Sequence, residues 1–355
     1  MDLSFYKGKR VFITGHTGFK GSWMCKVLNM LGAEVAGYAL EPPTDPNLFY
    51  VAGIDKLVNS TIGDIRDLEK LKKAIADFRP EIVIHMAAQP IVRTSYTDPV
   101  GTYETNVMGT VNLMEACRYV DSIKSIVNVT TDKVYKNFEW ERGYVEDDIL
   151  DGYDPYSNSK SCSELVTNSY ISAFYQDKDI AISACRAGNV IGGGDFAKDR
   201  IIPDCVRAMS SNSEIIVRNP YSTRPYEHVL EPVCAYLMVA AEQYVNKGIA
   251  GKYNVGPDDC DCVTTGTLCD LFCKYWGENA SWKNVSEANA PHEANFLKLN
   301  CDKLKETFNW QPTWHIDKAI ECVVEFSKAY LKNEGFVEVM EKQIKEFLSL
   351  WRKLL

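Results

Sequence analysis

Near the start of the chain, a short strand-forming stretch passes directly into a glycine-rich turn and then into a helix. Residues 10–14, RVFIT, are followed by GHTGFKG at 15–21 and by the helix-forming stretch WMCKVLNMLG. Glycines spaced in this way allow a tight turn, the close approach of backbone to a diphosphate, and close packing of helix on strand. The spacing alone is a weak signal, but in this position it predicts a dinucleotide-binding Rossmann unit.

The same loop supplies the first candidate cofactor-binding residues, which are Gly15, His16, Thr17, Gly18, Phe19, Lys20 and Gly21. The residue that usually distinguishes NAD from NADP departs from the common pattern. An acid at the end of the second strand usually holds the adenosine ribose, but position 39 is alanine and the nearest acid is Glu41. With His16 and Lys20 in the loop, two alternatives stay open: weak binding of NAD, or a preference for NADP through Lys20. We predict NAD.

A second cofactor contact is expected after the third strand, in GDIRD at 63–67. A short acid at Asp64 is placed to accept a hydrogen bond from the adenine amine. The alternative is that Asp64 caps a helix or stabilises a turn, as aspartate often does.

Strands and helices alternate through the first half of the chain. The residue pattern predicts further strands near 35–40, 57–62, 82–85 and 123–129, with helices over 68–78 and 100–119. Such alternation indicates repeated βαβ units, and hence a parallel sheet covered by helices on both faces. The predicted fold is α/β, a Rossmann-type doubly wound parallel sheet with a smaller C-terminal mixed α/β substrate lobe.

The pattern also suggests how the chain is divided. Residues 1–185 form the predicted dinucleotide-binding domain, to which 227–255 return. Residues 186–226 and 256–330 form the predicted substrate lobe, and 331–355 a C-terminal amphipathic helix. In that helix Phe336, Met340, Ile344, Phe347, Trp351 and Leu354 share one face, which we expect to pack on the chain's own core or on a partner subunit.

Composition excludes several classes of function. The chain has 355 residues and a net charge of −9, which gives no support to a nucleic-acid or anionic-membrane surface. Its start lacks an apolar signal-peptide core and no apolar run is long enough to span a bilayer, so we expect a soluble, cytoplasmic protein. The densest group of the 12 cysteines, Cys260, Cys262, Cys269 and Cys273, lacks the spacing of a common zinc site. We therefore predict structural cysteines and no metal.

Two short stretches carry groups suited to catalysis. In DPYSNSK at 154–160, Tyr156 and Lys160 are four residues apart and so share a helix face. A phenol has a pKa of about 10, and a nearby cation lowers it towards the range of a useful base. In VTTDKVYKN at 129–137, Thr131, Asp132 and Lys133 follow a strand. Their acid and amine form either a surface ion pair or two catalytic groups.

The motifs together resemble the extended short-chain dehydrogenase/reductase family. The matching stretches are GHTGFKG, GDIRD, HMAAQ at 85–89, YETNVMGT around Asn106, TTDKVY and YSNSK. The resemblance narrows to the nucleotide-sugar 4,6-dehydratases, and within them to the branch that acts on CDP-glucose. Stretches similar to that branch include RAGNVIGGGDFAKDRIIPD at 186–204, RPYEHVLEP at 224–232 and HEANFLKLN at 292–300. The similarity extends from residue 9 to about 315.

The resemblance implies roles for the catalytic candidates. Tyr156, tuned by Lys160 and assisted by Thr131, would act as the base on the sugar 4-hydroxyl, with NAD as hydride acceptor. Asp132 would be the acid and Lys133 the base of the elimination across C5–C6, where most relatives carry Asp-Glu. Such a pair must titrate together. The alternative is that Lys133 stays charged and that a water or Tyr156 takes the proton.

The resemblance also implies binding residues. Further cofactor contacts are expected at Ile65, Ala87, Ala88, Gln89 and Asn106, besides Tyr156 and Lys160 themselves. The expected contacts of the CDP-glucose substrate are Asn189, Arg200, Ile201, Arg218, Arg224, His292 and Glu293. A solvated charge is the alternative for Arg218 and, with less weight, for Arg224. His292 and Glu293 have the alternative role of closing the cleft.

Relatives of this kind form dimers through the helices that correspond to residues 100–119 and 156–176, so a homodimer is implied. Two rival functions remain. A nucleotide-sugar 4-epimerase would need Tyr156 and Lys160 but no acid–base pair for dehydration, so Asp132 and Lys133 argue against it. A non-catalytic dinucleotide-sensing scaffold would be expected to have lost some of the catalytic residues, and all are present.

Overall fold

The computed structural model describes residues 3–277, 280–285 and 296–354. Its strands are β1 (Arg10–Thr14), β2 (Glu34–Ala39), β3 (Asn59–Ile62), β4 (Ile82–His85), β5 (Ser125–Thr131), β6 (Ala181–Ala187), β7 (Asn189–Ile191), β8 (Ile215–Val217), β9 (Thr223–His228), β10 (Lys252–Val255), β11 (Cys262–Thr264) and β12 (Trp282–Asn284). Its α-helices are α1 (Phe19–Met30), α2 (Leu48–Val51), α3 (Leu68–Phe78), α4 (Val92–Thr97), α5 (Pro99–Tyr103), α6 (Gly109–Cys117), α7 (Pro155–Tyr170), α8 (Ile201–Ser210), α9 (Leu230–Val245), α10 (Thr265–Trp276), α11 (Asp302–Phe308), α12 (Ile316–Lys332) and α13 (Phe336–Leu354).

Seven strands form one parallel sheet in the order β10-β6-β5-β4-β1-β2-β3. The direction of winding reverses between β1 and β4, and in such sheets ligands bind in the crevice outside the carboxyl ends of the strands at that reversal. The predicted doubly wound Rossmann-type sheet is confirmed, and it places the ends of β1, β4 and β5 next to one another.

Both faces of this sheet are buried, which explains its apolar strands. Along β1, Val11 and Ile13 belong to the core shared with α1 and α9, whereas Phe12 packs with Leu71 of α3 and Leu113 of α6. Successive side chains of a strand point to opposite faces, so one short run of apolar residues contributes to two cores.

A smaller unit carries the remaining strands. β7, which follows β6 after Gly188, pairs with β9, and β9 pairs with β11. β8 and β12 form a separate parallel pair. A third apolar cluster, built from α8, α10 and α12, supports these strands. β7 therefore leads directly from the large sheet towards the strands that carry the substrate candidates.

The helix predicted over residues 100–119 is interrupted. It consists of α5, a π-helical turn over Glu104–Met108, and α6. Single π turns inside helices are rare and are often found at functional sites. Here the π turn contains Asn106, one of the predicted cofactor residues.

The C-terminal helix α13 packs on the chain's own core. Met340, Ile344, Phe347 and Trp351 are buried in the cluster that also contains α1 and α9. The Phe347 ring lies edge-on to that of Trp314, with 5.0 Å between ring centres. Among the described helices, none combines the length and apolarity needed to cross a membrane.

Candidate active site

The glycine loop forms a close-packed cradle at the carboxyl end of β1. Gly15 has a φ of +79°, and a Cβ there would lie 2.8 Å from the backbone nitrogen of Ala87. A Cβ on Gly21 would lie 2.3 Å from the carbonyl oxygen of Gly15. A Cβ on Gly18, by contrast, would meet nothing nearer than that same oxygen at 3.5 Å. Two glycines are thus required by packing, while the third leaves one side of the loop open.

The open side faces the start of α1. Gly18 is the N-cap of this helix and provides no side-chain hydrogen bond to its first turn. The first amide groups of a helix lack partners within the helix and attract anions. The residues present at this point therefore fit the diphosphate of a dinucleotide.

His16 is a buried residue of the glycine loop, and its ring packs against the sheet. Its Nε2 lies 2.7 Å from the Ser60 hydroxyl of β3, and its ring meets Phe49 edge-on. A Cβ on Gly37 of β2 would lie 2.1 Å from the imidazole, so the ring occupies the space that this glycine leaves. Burial lowers the pKa of His16 to about 4, and the imidazole is neutral at physiological pH.

The end of β2 carries no acid aimed at the loop. Ala39 is buried, and the Thr17 hydroxyl donates to the carbonyl oxygen of Leu40 at 2.9 Å. Glu41 accepts a hydrogen bond of 2.8 Å from the Tyr50 hydroxyl. The acid nearest to the expected ribose position therefore already has a partner.

Lys20 lies near the catalytic residues. Its ammonium nitrogen is 5.7 Å from the centre of the Tyr236 ring on α9. Burial lowers the pKa of Lys20 to about 8, while the nearby carboxyls of Glu227 and Asp132 oppose the shift and Lys133 adds to it. Among its contacts with the described residues, Lys20 has none that supports a role in selecting NADP.

Asp64 makes a two-point contact that the sequence analysis did not include. The Arg66 guanidinium donates to both carboxylate oxygens, with Nη2 to Oδ2 at 2.6 Å and Nε to Oδ1 at 3.0 Å. This arginine lowers the pKa of Asp64. The next residue, Ile65, is buried, and its carbonyl oxygen accepts from Asn112 on α6 at 3.0 Å. The acid in GDIRD was a visible signal, but the arginine beside it was overlooked.

Asn106 braces the loop that follows β4. Its Oδ1 accepts from the backbone nitrogen of Gln89 at 2.8 Å, and its Nδ2 donates to the Gln89 carbonyl oxygen at 3.1 Å and to Ser159 of α7 at 2.8 Å. The stretch Ala87–Ala88–Gln89 is thereby tied to the helix that carries Tyr156. These contacts give Asn106 a positioning role, and its predicted contact with the cofactor stays a prediction.

Thr131, Asp132 and Lys133 form a hydrogen-bonded group at the carboxyl end of β5. Asp132 is fully buried, and its Oδ1 accepts from the Thr131 hydroxyl at 2.9 Å and from the Lys133 ammonium at 2.9 Å. Lys133 also donates to Oδ1 of Asn189 on β7 at 3.3 Å. The other Asp132 oxygen, Oδ2, has no partner among the described residues. An acid and an amine are thus held together, and one buried carboxyl oxygen is left without a hydrogen-bond partner among the described residues.

Tyr156 and Lys160 project from the first turns of α7, which begins with Asp154 as N-cap and Pro155. The Lys160 ammonium donates to the Val129 carbonyl oxygen at 3.2 Å. Burial raises the pKa of Tyr156 to about 12, partly offset by a hydrogen bond with Thr131. Burial also lowers the pKa of Lys160 to about 8. The pKa of Tyr156 is thus raised rather than lowered as expected, because desolvation of the phenol is the largest influence on it.

The candidate substrate residues line the smaller unit. Arg200 immediately precedes Ile201, the first residue of α8, and donates to Asp195 at 3.1 Å. Its charge lowers the pKa of Tyr156, so Arg200 lies near that candidate tyrosine. Arg218 donates to Asp199 at 3.1 Å and is partly exposed. Arg224 is buried on β9. His292 and Glu293 lie outside the described residues.

Two buried residues near the catalytic group were not predicted. Both carboxyl oxygens of Glu227 on β9 and the Tyr236 hydroxyl on α9 lack hydrogen-bond partners among the described residues. Burial raises the pKa of Glu227 well above its usual range, and Asp132 adds to that shift. The signal for Glu227 was an acid in RPYEH, the stretch that also carries Arg224. The sequence offered no comparable signal for Tyr236, because this residue lies in the apolar helix α9.

Comparisons with known proteins agree with this architecture. The family model described as GDP-mannose 4,6 dehydratase matches residues 12–323. A curated CDP-glucose 4,6-dehydratase of Salmonella typhimurium is 47% identical over 355 residues, covering 98% of this chain and 99% of the relative. A CDP-paratose 2-epimerase of Salmonella typhi is 28% identical, covering 85% of this chain and 94% of that protein.

Solved structures share the fold at low sequence identity. The dTDP-glucose 4,6-dehydratase of Bacillus anthracis in complex with NAD is 20% identical, with a TM-score of 0.78 over 93% of this chain and all of that chain (100%). The UDP-glucose 4-epimerase of Thermus thermophilus in complex with NAD is 24% identical, with a TM-score of 0.78 over 90% of this chain and 99% of that chain.

The parallel sheet, the glycine cradle and the Tyr156–Lys160 pair, together with the family match and the 47% identical relative, define an extended short-chain dehydrogenase/reductase of the nucleotide-sugar type. Within that class, the chain belongs to the GDP-mannose 4,6-dehydratase family. The family assignment predicted from the sequence motifs is therefore confirmed.

Proposed function

We propose that this protein is a hydro-lyase that converts CDP-D-glucose to CDP-4-dehydro-6-deoxy-D-glucose and water, with NAD as its cofactor. The observation that carries the proposal is the contact between Asp132 and Lys133 beside Thr131 and Tyr156. The 47% identity to a CDP-glucose 4,6-dehydratase supports the choice of CDP-glucose. Bound NAD supplies a hydride acceptor for sugar C4 and, once reduced, a hydride donor for C6.

The first step requires a base at the sugar 4-hydroxyl. Tyr156 takes that proton, and Thr131, which bonds the phenol, holds the hydroxyl in place. Because the free phenol has a pKa of about 12, it must lose its proton in the loaded enzyme. Nearby cations favour loss of the phenol proton, and the charge of Arg200 already lowers the pKa of Tyr156. The glycine cradle and the amides at the start of α1 would hold the cofactor diphosphate.

The second step removes water across C5 and C6. The 4-ketone acidifies the hydrogen on C5, so a base is needed there and an acid at the departing 6-hydroxyl. For this step Lys133 must be the neutral amine and Asp132 the carboxylic acid, so a proton first leaves the Lys133 ammonium and one is taken up by Asp132. Lys133 then accepts the C5 proton, and Asp132, protonated on Oδ2, the oxygen without a partner among the described residues, donates to the departing 6-hydroxyl. Lys133 later returns its proton to C5 when hydride is added at C6, so that no external redox equivalents are used.

The test is to incubate the purified protein with CDP-glucose, with and without added NAD, and to follow the alkali-induced absorbance of a 4-keto-6-deoxy sugar. We expect signal to grow without net formation of NADH. A dependence on added NAD would indicate weak cofactor binding, in keeping with Ala39 at the end of β2. Much tighter binding of NADP than of NAD would contradict the cofactor assignment.

Assays with other nucleotide sugars distinguish the proposed function from its rivals. Signal with GDP-mannose or dTDP-glucose but none with CDP-glucose would keep the chemistry and overturn the nucleotide assignment. Conversion of a nucleotide sugar to its C4 epimer without loss of water would favour the epimerase. Absence of turnover with all three, together with retained NAD binding, would favour the dinucleotide-sensing scaffold.

The proposal includes a cytoplasmic homodimer and the division into lobes given by the sequence. Support for the dimer comes from apolar side chains on the predicted interface helices: Met108 is 50% exposed, Leu165 55% and Phe174 42%. Leu165→Glu should convert the dimer to monomers in light scattering coupled to size exclusion, whereas Leu331→Glu, at a similarly exposed leucine of α12, should not. A monomeric unmodified protein would contradict this part of the proposal.

A further inference from the structure

Three side chains with metal-binding donors meet on the surface of the smaller unit. Cys260 and Asp261 lie in a 3₁₀ turn over Asp259–Asp261, and His315 is the N-cap of α12. One donor atom from each of the three lies within 4.8 Å of the others. The His315 Nδ1 is 2.7 Å from Asp261 Oδ2, and the Cys260 sulfur is 3.8 Å from the same oxygen.

The backbone holds this group in place. Asp261 is buried, its Oδ1 accepts from the backbone nitrogen of Ile316 at 2.9 Å, and its own nitrogen donates to the Asp258 carbonyl oxygen at 2.9 Å. Cys260 is exposed, and 65% of the His315 side chain is accessible to solvent. The carboxylate is therefore fixed, while the thiol and the imidazole remain open to an ion from solution.

We propose that Cys260, Asp261 and His315 form a binding site for a divalent transition metal of the zinc type. A thiolate, an imidazole and a carboxylate are zinc ligands, whereas Mg²⁺ and Ca²⁺ prefer sites built from oxygen alone. Zinc bonds of about 2.0–2.3 Å in a tetrahedron separate the ligand atoms by about 3.3–3.8 Å, which small side-chain movements reach from the present positions.

Binding requires an exchange of protons for the metal. The ion replaces the hydrogen now shared by His315 and Asp261, so these two atoms move apart, and the Cys260 thiol loses its proton to solvent. Three protein ligands leave the fourth position to water.

The other cysteines of this stretch do not share the site. Cys269 is fully buried in the apolar cluster of the smaller unit, and the Cys262 sulfur lies 3.9 Å from the Asp258 carbonyl oxygen. Among the described residues, Cys260 is the one cysteine that lies in a group able to hold a metal. The relevant partner is a histidine more than fifty residues further along the chain, which cysteine spacing cannot reveal.

The site links two elements of the substrate lobe. The 3₁₀ turn leads into β11, in which Val263 is paired with Arg224 of β9, and His315 begins α12. A bound metal would join these elements without contacting the catalytic group. We therefore expect it to raise the midpoint of thermal unfolding and to leave the chemical step intact.

The test is to titrate the full-length, chelator-treated protein with Co²⁺ and to record the thiolate-to-cobalt charge-transfer band, with Zn²⁺ binding followed by calorimetry. We expect one ion per chain and displacement of Co²⁺ by Zn²⁺. Cys260→Ser should abolish the charge-transfer band, and His315→Gln should weaken binding at least about 10-fold. Cys262→Ser, which alters the neighbouring thiol, should leave both signals unchanged.

Two results would overturn the proposal. One is the absence of a thiolate band in the unmodified protein, and the other is equal binding by Cys260→Ser. Cys260 and His315 are at the surface, so both variants should fold, and near-ultraviolet circular dichroism verifies that they do. Asp261→Asn, which keeps the oxygen facing Ile316, provides a further variant that should weaken binding about 10–100-fold. All of these readouts are independent of the dehydratase activity.

Discussion

The cofactor side and the catalytic side of this site are built on different principles. The glycine cradle at Gly15 and Gly21 uses backbone alone, with clearances so small that one added carbon would meet a main-chain atom at 2.8 or 2.3 Å. The group around Asp132 and Lys133 uses ionisable side chains, a fully buried carboxyl and a partly buried amine joined by a hydrogen bond. The cofactor side should therefore be sensitive to changes in side-chain volume, and the catalytic side to changes in charge. Substitutions that change only one of these properties test the distinction.

The largest expected effect is on the charged side. Asp132→Asn preserves the shape of the side chain but cannot donate the proton to the departing hydroxyl, so we expect kcat to fall about 10²- to 10⁴-fold. Affinity for NAD, measured by calorimetry, should be unchanged. Asp151→Asn, at an exposed aspartate paired with Lys136, is the matched control and should keep full activity. Near-normal turnover of Asp132→Asn would remove Asp132 from the mechanism.

Lys160→Met should separate activity from stability. The buried lysine has its pKa lowered from 10.5 to about 8, which corresponds to a destabilisation of about 3 kcal/mol when it is charged. The methionine variant should therefore lose activity yet gain up to about 3 kcal/mol in free energy of unfolding near pH 7.

The sign of the pH dependence follows from that pKa. Between about pH 8 and 10.5 the unfolded chain keeps the lysine proton and the folded chain does not, so the stability of the unmodified protein rises with pH and the advantage of Lys160→Met shrinks. Urea unfolding of the cofactor-free proteins near pH 7 and about pH 9.5 measures both effects. Lys73→Met, at an exposed position of α3, should show neither. A constant difference across pH would contradict the assignment of the shift to Lys160.

On the cofactor side, Gly21→Ala changes volume without changing charge. Its Cβ would meet the Gly15 carbonyl oxygen at 2.3 Å, so the loop must shift, at a cost of about 1–3 kcal/mol in stability. The displaced loop should also bind NAD more weakly, which calorimetry would measure. Gly251→Ala is the control, because its nearest neighbour is the end of the Lys303 side chain at 3.8 Å. An unaffected Gly21→Ala would mean that the cradle tolerates added volume.

The smallest effect is expected where charges are exposed on the cofactor side. Arg66→Met removes the two-point contact with Asp64, but both side chains are partly accessible to solvent, and exposed ion pairs contribute about 0–1 kcal/mol. We expect thermal unfolding to change little and the apparent affinity for NAD to change modestly. Arg142→Met, at a comparable pair with Asp148, gives the reference for stability alone. A loss of several kcal/mol would show that Asp64 and Arg66 brace the fold.

Local patterns in the sequence were enough to predict much of this molecule. The order of the first five strands, the glycine loop and the spacing of Tyr156 and Lys160 depend on contacts between residues close along the chain, which periodicity and turn chemistry report. The break of the 100–119 helix at its π turn was not predicted, because Asn106 is held there by Gln89 and Ser159, residues distant in sequence.

The sequence by itself determined the class of fold and the family, and it supplied the candidates for the acid, the base and the tyrosine. Only the tertiary structure decided their surroundings: that Asp132 Oδ2 lacks a hydrogen-bond partner within the part of the chain that the structure describes, and that Glu227 is buried near Asp132 and Lys20. It also brought Cys260 to His315. The physical reason is that hydrogen bonding, desolvation and metal coordination depend on distances between side chains in space. Segments far apart in the chain set those distances when they pack together.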